Sequence, residues 1–423
     1  MRFSSLDEWL TWQESLHPKN IDLGLERLQV VAQKLFTRED FKTIITVAGT
    51  NGKGSVCAML SAIYHSAGFR AGWYSSPHLL RYNERIRIGD VEISDQRLCE
   101  AFEKVDQARG DITLTYFEFG TLAALEIFRD ANLDVVVLEV GLGGRLDAVN
   151  ILDADVAVLT TVDLDHQDWL GPDRESIARE KLGIGRENHP LVCGDLDPPC
   201  AVSEYCLAHH IPLYRIRHEF AFFLHEEHWH WQSADERISA LPKPVLNGVH
   251  QYTNAAVVLM VTRLLKQQLP LSNAEIRNGL LSAVLPGRLQ MVKFQNRMFM
   301  LDVAHNPQAA RALASAIENE GLGTPMQAVV GMLRDKDALE TLKPMLPRIE
   351  LWHVAGIAVA RGGSGEHLKE TLMSLGVKQD NIHVYSNVRD AIHGSMLNNI
   401  AEQLTVVFGS FYTVSDALQY LSD

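Results

Sequence analysis

From Lys42 onward, short β-branched runs alternate with stretches of helical period, the pattern of a parallel sheet covered by helices. The expected fold class is therefore α/β. Strands are predicted at TIITVAG (43–49), AGWYSS (71–76), DVVVLEVG (134–141) and DVAVLTTV (155–162), whose near-continuous apolar character suits burial on both faces. RIRIGDVEI, with Gly89-Asp90 between alternating residues, predicts a hairpin inserted into that scheme. Upstream, Ser5 and Glu8 have capping-box spacing, and Leu6, Trp9, Leu10 and Leu16 mark an apolar helix face. LPGRLQMV (285–292) breaks the helical pattern at Pro286 and Gly287, and a second β/α series follows. Its strands are predicted at 297–304, 326–333, 349–356, 382–386 and 404–410. The predicted division is a larger domain, 1–288, including the linker, and a smaller Rossmann-like α/β domain, 289–423.

The length of 423 residues suits two domains with full cores. Acidic residues outnumber basic ones 53 to 39, and the resulting charge of -14 repels phosphate, which argues against a general nucleic-acid or anionic-membrane binder. An anionic ligand must then be held by a local site. The five cysteines, Cys57, Cys99, Cys193, Cys200 and Cys206, form no CxxC pair and no disulfide-framework spacing, so reduced thiols and a cytoplasmic location are expected. The amino-terminal residues lack signal-peptide character, and no apolar run reaches ~18 residues, so no membrane association is expected.

The most specific local feature is Ala48-Gly49-Thr50-Asn51-Gly52-Lys53-Gly54-Ser55, placed between a predicted strand and a helix carrying Met59, Leu60 and Ile63. Glycines let backbone N–H groups turn toward phosphate oxygens, the helix N-terminus adds positive potential, and Lys53 neutralises β/γ-phosphate charge. The spacing departs from GxxxxGK[ST], because Gly54 occupies the hydroxyl position and Ser55 follows it. Nucleotide phosphates call for Mg²⁺, which takes oxygen ligands. Ser75 and Ser76, Glu139, and His166 all fall at or just beyond carboxyl ends of predicted parallel strands, where open α/β sheets bind ligands.

TVAGTNGKGS, YSSPHL, LEVGLGGRLDA, DHQDWLG, REKLGI, LPGR, DVAHNP and GSF occur in this order over nearly the whole chain. Together they resemble the bacterial folylpolyglutamate synthase and dihydrofolate synthase family, within the Mur-ligase-like ATP-dependent amide ligases. The resemblance implies joining a carboxylate to the amino group of L-glutamate, with ATP cleaved to ADP and phosphate. The acceptors it implies are dihydropteroate, tetrahydrofolate and folylpolyglutamates. A carboxylate is a poor acyl donor, and an acyl phosphate gives the glutamate amine a leaving group to displace.

By this resemblance, Asn51, Gly52, Lys53, Gly54 and Ser55 hold the ATP phosphates, and Asn254, Arg288 and Asp302 contact the nucleotide. Ser76, Glu139 and His166 match magnesium positions, with two ions expected and a monovalent cation left open. Lys181 matches a lysine that the family carbamylates, which converts a repelling ammonium into a carboxylate-like ligand. Asp22, Leu23, Gly24 and Leu25 of the DLGLER stretch (22–27), with Thr115, Tyr116, Phe117 and Glu118 and with Arg145, Leu146 and Asp147, match the pterin-binding segments. Phe117 can stack on a pterin, and Asp147 can accept its N–H donors. His305 and Ser410 are expected near the incoming glutamate, Lys53, His166, Lys181 and His305 in catalytic roles, and the active site in an interdomain cleft. A monomer is expected.

Arg361 stands where the family usually carries a Pro-Arg pair, but Ala360 precedes it here. The His225, His228 and His230 run has metal-like alternation but no second ligand group, so a solvated hairpin is expected. Alternatives at this stage are polyglutamylation alone, a Mur-like ligase for another carboxylate, or a P-loop switch or nucleic-acid motor.

Overall fold

The structure, a computed structural model, describes residues 2–226, 228–322, 326–397 and 404–422. Two compact units divide the chain: Met1–His78, Tyr82–Val245 and Tyr252–Val284 form the first, and Leu79–Arg81, Leu246–Gln251 and Leu285–Asp423 the second.

The first unit is built on β1 (Ile44–Ala48), β2 (Ala71–Tyr74), β3 (Ile86–Ile88), β4 (Val91–Glu92), β5 (Val135–Glu139), β6 (Val156–Leu159), β7 (Leu191–Cys193) and β8 (Leu213–Arg215). They make one sheet in the order β4-β3-β2-β5-β1-β6-β7-β8. The β2-to-β8 stretch is parallel throughout, and β3 and β4 add the expected antiparallel hairpin at one edge. Strands β1, β5 and β6 are buried along their whole length, as continuous apolar runs require when helices cover both faces. The chain leaves β1 toward β2 on one side and leaves adjacent β6 toward β7 on the other. This reversal makes a crevice at their carboxyl ends.

The capping box at Ser5 and Glu8 starts the helix Leu6–Leu16 as expected, with Trp9 buried. The histidine run does sit on a hairpin, with His225 and His228 between β9 (Phe220–Leu224) and β10 (Trp229–Ser233) and His230 on β10. A third strand, β11 (Arg237–Leu241), was not foreseen; it completes an antiparallel sheet whose Trp229 and Trp231 are fully buried. His225 Nε2 and His230 Nδ1 lie 3.0 Å apart, and no group of three or more His, Cys, Asp or Glu side chains suited to a metal occurs among the described residues.

The second unit holds β12 (Gln290–Phe294), β13 (Arg297–Leu301), β14 (Met326–Val330), β15 (Ile349–Ala355), β16 (Ile382–Tyr385) and β17 (Thr405–Phe408) in the order β12-β13-β17-β14-β15-β16. Only β12 pairs antiparallel. It is absent from the sequence expectation, which starts this series at residue 297. Its residues alternate between part-buried and exposed, the signature of an edge strand and not of a buried run. An apolar cluster of the second unit includes Leu313, Trp352, Leu372 and Phe408. No helix among the described residues is long and apolar enough to cross a membrane.

Candidate active site

The glycine loop follows β1 and ends in the helix Lys53–Ser66. Gly49 and Gly52 have φ of 151° and 89°, and a side chain at either would collide. A Cβ on Gly49 would lie 1.8 Å from Thr160 Oγ1, and one on Gly52 would lie 2.8 Å from Asn254 Oδ1. Only glycine permits both the turn and the close approach. The loop is tied to the residues after β6: Thr50 N donates to the Thr161 carbonyl at 2.7 Å, and Thr160 Oγ1 donates to the Asn51 carbonyl at 2.6 Å. Lys53 Nζ donates to the Gly49 and Thr50 carbonyls at 2.9 and 3.3 Å. Gly54 and Ser55 are buried in the first helical turn. The helix is backed closely by Asn273–Ser282, where a Cβ on Gly279 would lie 2.3 Å from Ile63 Cα.

Glu139 is the last residue of β5, in register with Val47 of β1, and is 6% exposed. Ser76 lies just past β2, whose Tyr74 is in register with Leu138, the neighbour of Glu139. His166 has a left-handed φ of 53° and caps the short helix Gln167–Leu170. Lys181 is buried near the end of the helix Arg174–Leu182. Desolvation, and then repulsion from Lys53, push its ammonium down to about 7, while Asp165 and Asp147 pull the other way. Burial raises the Asp147 carboxyl to about 6 against backbone donors and the attraction of Lys53. Lys53, Asp147, Asp165 and Lys181 thus share one electrostatic neighbourhood.

The loop carrying Arg145, Leu146 and Asp147 is held against Lys181's helix: Arg145 N donates to the Glu180 carbonyl at 2.8 Å. A Cβ on Gly144 would lie 2.8 Å from the Lys181 carbonyl, so the close approach depends on that glycine. Asp147 accepts from Leu142 N at 2.8 Å and Val149 N at 3.1 Å, and the Gly141 N–H also faces its carboxylate. Arg145 itself is exposed and pairs with Glu180 at 2.9 Å.

Two other predicted segments meet through Arg27, the last residue of the DLGLER stretch, to which no role of its own was given. Arg27 donates to Asp22 and, at 2.8 Å, to Glu118 Oε1. Glu118 Oε2 accepts from Thr115 N at 2.7 Å in a capping box that starts the helix Tyr116–Ala131. Lys19, then Arg27, hold the Asp22 carboxyl down at about 2. Leu23, Gly24 and Leu25 are part-buried, as are Tyr116 and Phe117. Phe117 lies across Gly141, where a Cβ would approach its ring to 2.7 Å. DLGLER does contain Arg27, but only the fold reveals that it faces Glu118, 91 residues away.

In the second unit, Asp302 follows β13 and Ser410 follows the neighbouring β17. Asp302 accepts from Leu289 N at 2.9 Å and Ala304 N at 2.8 Å. Desolvation raises its carboxyl, opposed by Arg288 and those N–H donors, and His250 also lies within its field. Arg288 stands 5.4 Å from the Phe411 ring centre, and the His305 ring stands 5.9 Å from the same ring. His305 Nδ1 is 2.8 Å from the Val303 carbonyl. Ser410 Oγ accepts from Thr413 N at 3.0 Å and is 2.8 Å from Thr413 Oγ1. Phe411 and His250 were missed; Phe411 lies inside the GSF motif, whereas His250 carries no sequence signal. Arg361 pairs with Asp335 at 3.6 Å on the surface.

Residues 47–193 match the Mur ligase middle domain, and residues 287–411 match the Mur ligase, glutamate ligase domain. The chain is 42% identical over 418 residues to the dihydrofolate synthase/folylpolyglutamate synthase of Escherichia coli strain K12, spanning 99% of this chain and 96% of that one. A structure of Escherichia coli FolC in complex with DHPP and ADP gives a TM-score of 0.91 at 41% identity, covering 99% of this chain and 98% of that one. A bifunctional folylpolyglutamate synthase/dihydrofolate synthase with Mn, AMPPNP and L-glutamate bound gives 0.90 at 43% identity, again covering 99% and 98%. Likeness over the full length, on a phosphate cradle of the kind described above, identifies the chain as a member of the bifunctional dihydrofolate synthase/folylpolyglutamate synthase family of Mur ligases, which ligate glutamate at the expense of ATP.

Proposed function

We propose that this chain joins L-glutamate both to dihydropteroate and to reduced folates and their polyglutamates, cleaving ATP to ADP and phosphate by way of an acyl phosphate. The observation that carries the residue assignments is the shared neighbourhood of the glycine cradle, Lys53, Asp147 and Lys181 at the carboxyl edge of a parallel sheet. We assign nucleotide and pterin binding to residues 1–288 and glutamate ligation to residues 289–423.

Asn51, Gly52, Gly54 and Ser55 offer the phosphates backbone donors and a helix N-terminus, and Lys53 counters their charge. Asn254, Arg288 and Asp302 contact the rest of the nucleotide. A divalent ion suits Ser76, Glu139 and His166. A hydroxyl, one buried carboxylate and one imidazole are too few to enclose a cation, which fits Mg²⁺, since it keeps waters and substrate phosphates as ligands. When bound, such ions neutralise charge on the transferred phosphoryl group. We assign two Mg²⁺ ions and leave a monovalent cation as an accessory.

The amine of Lys181 is pushed toward its neutral form, the form that attacks carbon dioxide, so carbamylation is favoured there. The carbamate would present oxygen where an ammonium would repel Mg²⁺. The segments 22–25, 115–118 and 145–147 bind the pterin, with Phe117 as the stacking ring and Asp147 as the acceptor. His305 and Ser410 orient the glutamate, whose amine attacks the acyl phosphate and expels phosphate; placement and charge neutralisation supply most of the catalysis. The five cysteines are free thiols, which supports a cytoplasmic protein, and we assign a monomer.

Purified protein given dihydropteroate, L-glutamate and Mg-ATP should yield dihydrofolate by mass spectrometry, with one ADP per product. Product from tetrahydrofolate but none from dihydropteroate would leave only the polyglutamylating half. ATP turnover indifferent to acceptor and glutamate would instead indicate a switch or motor.

A further inference from the structure

Arg85 closes the 3-10 turn Tyr82–Arg85, and its carbonyl accepts from Ser75 N at 2.9 Å, which anchors it beside Ser76. Its residue exposure is only 9%. Nε donates to His78 Nδ1 at 2.8 Å, and the guanidinium carbon lies 5.1 Å from the Tyr82 ring centre and 5.5 Å from that of Tyr116. Among the described residues, no carboxylate forms an ion pair with it. Arg109, equally buried, pairs with Asp106 at 2.6 Å, and Arg27 pairs with Glu118 at 2.8 Å.

A guanidinium withdrawn from water without a counter-anion is costly, and two aromatic faces with a neutral imidazole offset only part of that cost. Arginine N–H groups can only donate, so His78 Nδ1 is the acceptor in this bond. The Tyr74 hydroxyl also bonds the guanidinium; these two neutral partners fix part of the fork, and the N–H donors left over suit the oxygens of a planar anion. Tyr116, one of the two rings, belongs to the segment assigned above to the folate.

We propose that Arg85 is a specificity residue that takes up a carboxylate of the folate acceptor. The inference rests on the reading that this region of the first unit binds the acceptor. Two carboxylates share the required chemistry. One is the reacting group, present on dihydropteroate as well as on folates. The other is the non-reacting carboxylate of the glutamyl tail, present on folates alone.

Steady-state kinetics of R85Q against wild type, with dihydropteroate and with tetrahydrofolate, separate them. The acceptor KM should rise about 10- to 100-fold, the usual range for losing a charge-assisted hydrogen bond, while the KM for ATP stays within about twofold. A rise with tetrahydrofolate alone assigns the tail carboxylate, and a rise with both acceptors assigns the reacting one. An unchanged acceptor KM, or ATP and acceptor KM rising together, overturns the proposal. Should R85Q fail to fold by circular dichroism, R85K, which keeps the charge but not the fork, reads the same split with a smaller rise. If wild type makes neither product, the functional reading fails, which is distinguishable from a wild type active on both acceptors with an R85Q variant like it.

Discussion

Lys181 shows how one residue's chemistry is set by its surroundings. A lysine in water is an ammonium at neutral pH, but burial and the neighbouring Lys53 bring this one to about 7. The sign follows directly. With the folded value below the free value of 10.5, the neutral amine dominates above pH 7 and the ammonium returns as pH falls through 7. Carbamate formation needs the neutral amine, so product formation should decline below pH 7 and recover when bicarbonate is added at pH ~6.5. Initial rates with and without bicarbonate check this, with Lys181→Arg expected to be inactive under both conditions. Activity at that pH indifferent to bicarbonate would count against the modification.

At the scale of elements, the strongest device is the Arg27 bridge, because Glu118 serves as helix cap and ion-pair partner at once. Arg27→Ala should leave Glu118, which is 4% exposed, buried without its cation. The expected cost is about 3 kcal/mol of stability, read by chemical denaturation, together with a raised acceptor KM because both flanking segments loosen. A second device crosses four strands of the other unit. His353 on β15 lies 3.2 Å from Gln327 Oε1 on β14 and 3.2 Å from Tyr385 Oη on β16, with His383 stacked at 5.4 Å. Gln327 Nε2 in turn donates to Thr405 Oγ1 on β17 at 2.9 Å. Burial, and then His383, lower the His353 imidazole to about 4. Its folded value lies below the free value of 6.5, so this contribution is full above pH 6.5 and is lost as pH falls to 4. The loss is about 3 kcal/mol. His353→Gln, which keeps the hydrogen-bonding reach, should flatten the pH dependence of unfolding across that window.

For the whole molecule, a charge of -14 must coexist with anionic substrates, so the reaction relies on local positive charge. Chelation with EDTA should therefore abolish product formation, and Mn²⁺ should restore it as well as Mg²⁺, since a relative is known with Mn and AMPPNP bound. Product measured by mass spectrometry after each addition decides this; full turnover in excess EDTA would exclude the ion from the mechanism. Much of the architecture was legible in the chain itself. Buried parallel strands need continuous apolar runs, and the β-branched runs TIITVA, DVVVLEV and DVAVL supply them and form fully buried strands. The glycine loop was equally legible, because a left-handed turn admits little besides glycine. Edge strand β12 was not, since polarity does not follow its alternating burial: apolar Met291 is exposed while polar Gln290 is part-buried. Nor could the chain alone pair Arg27 with Glu118, leave Arg85 buried without a carboxylate, or bring Lys53 near Lys181. The sequence determined the elements and the phosphate cradle because local sterics and hydrophobic period act between near neighbours. The tertiary structure decided which charges meet, because Coulombic and desolvation energies depend on distance and burial, which only the completed fold defines.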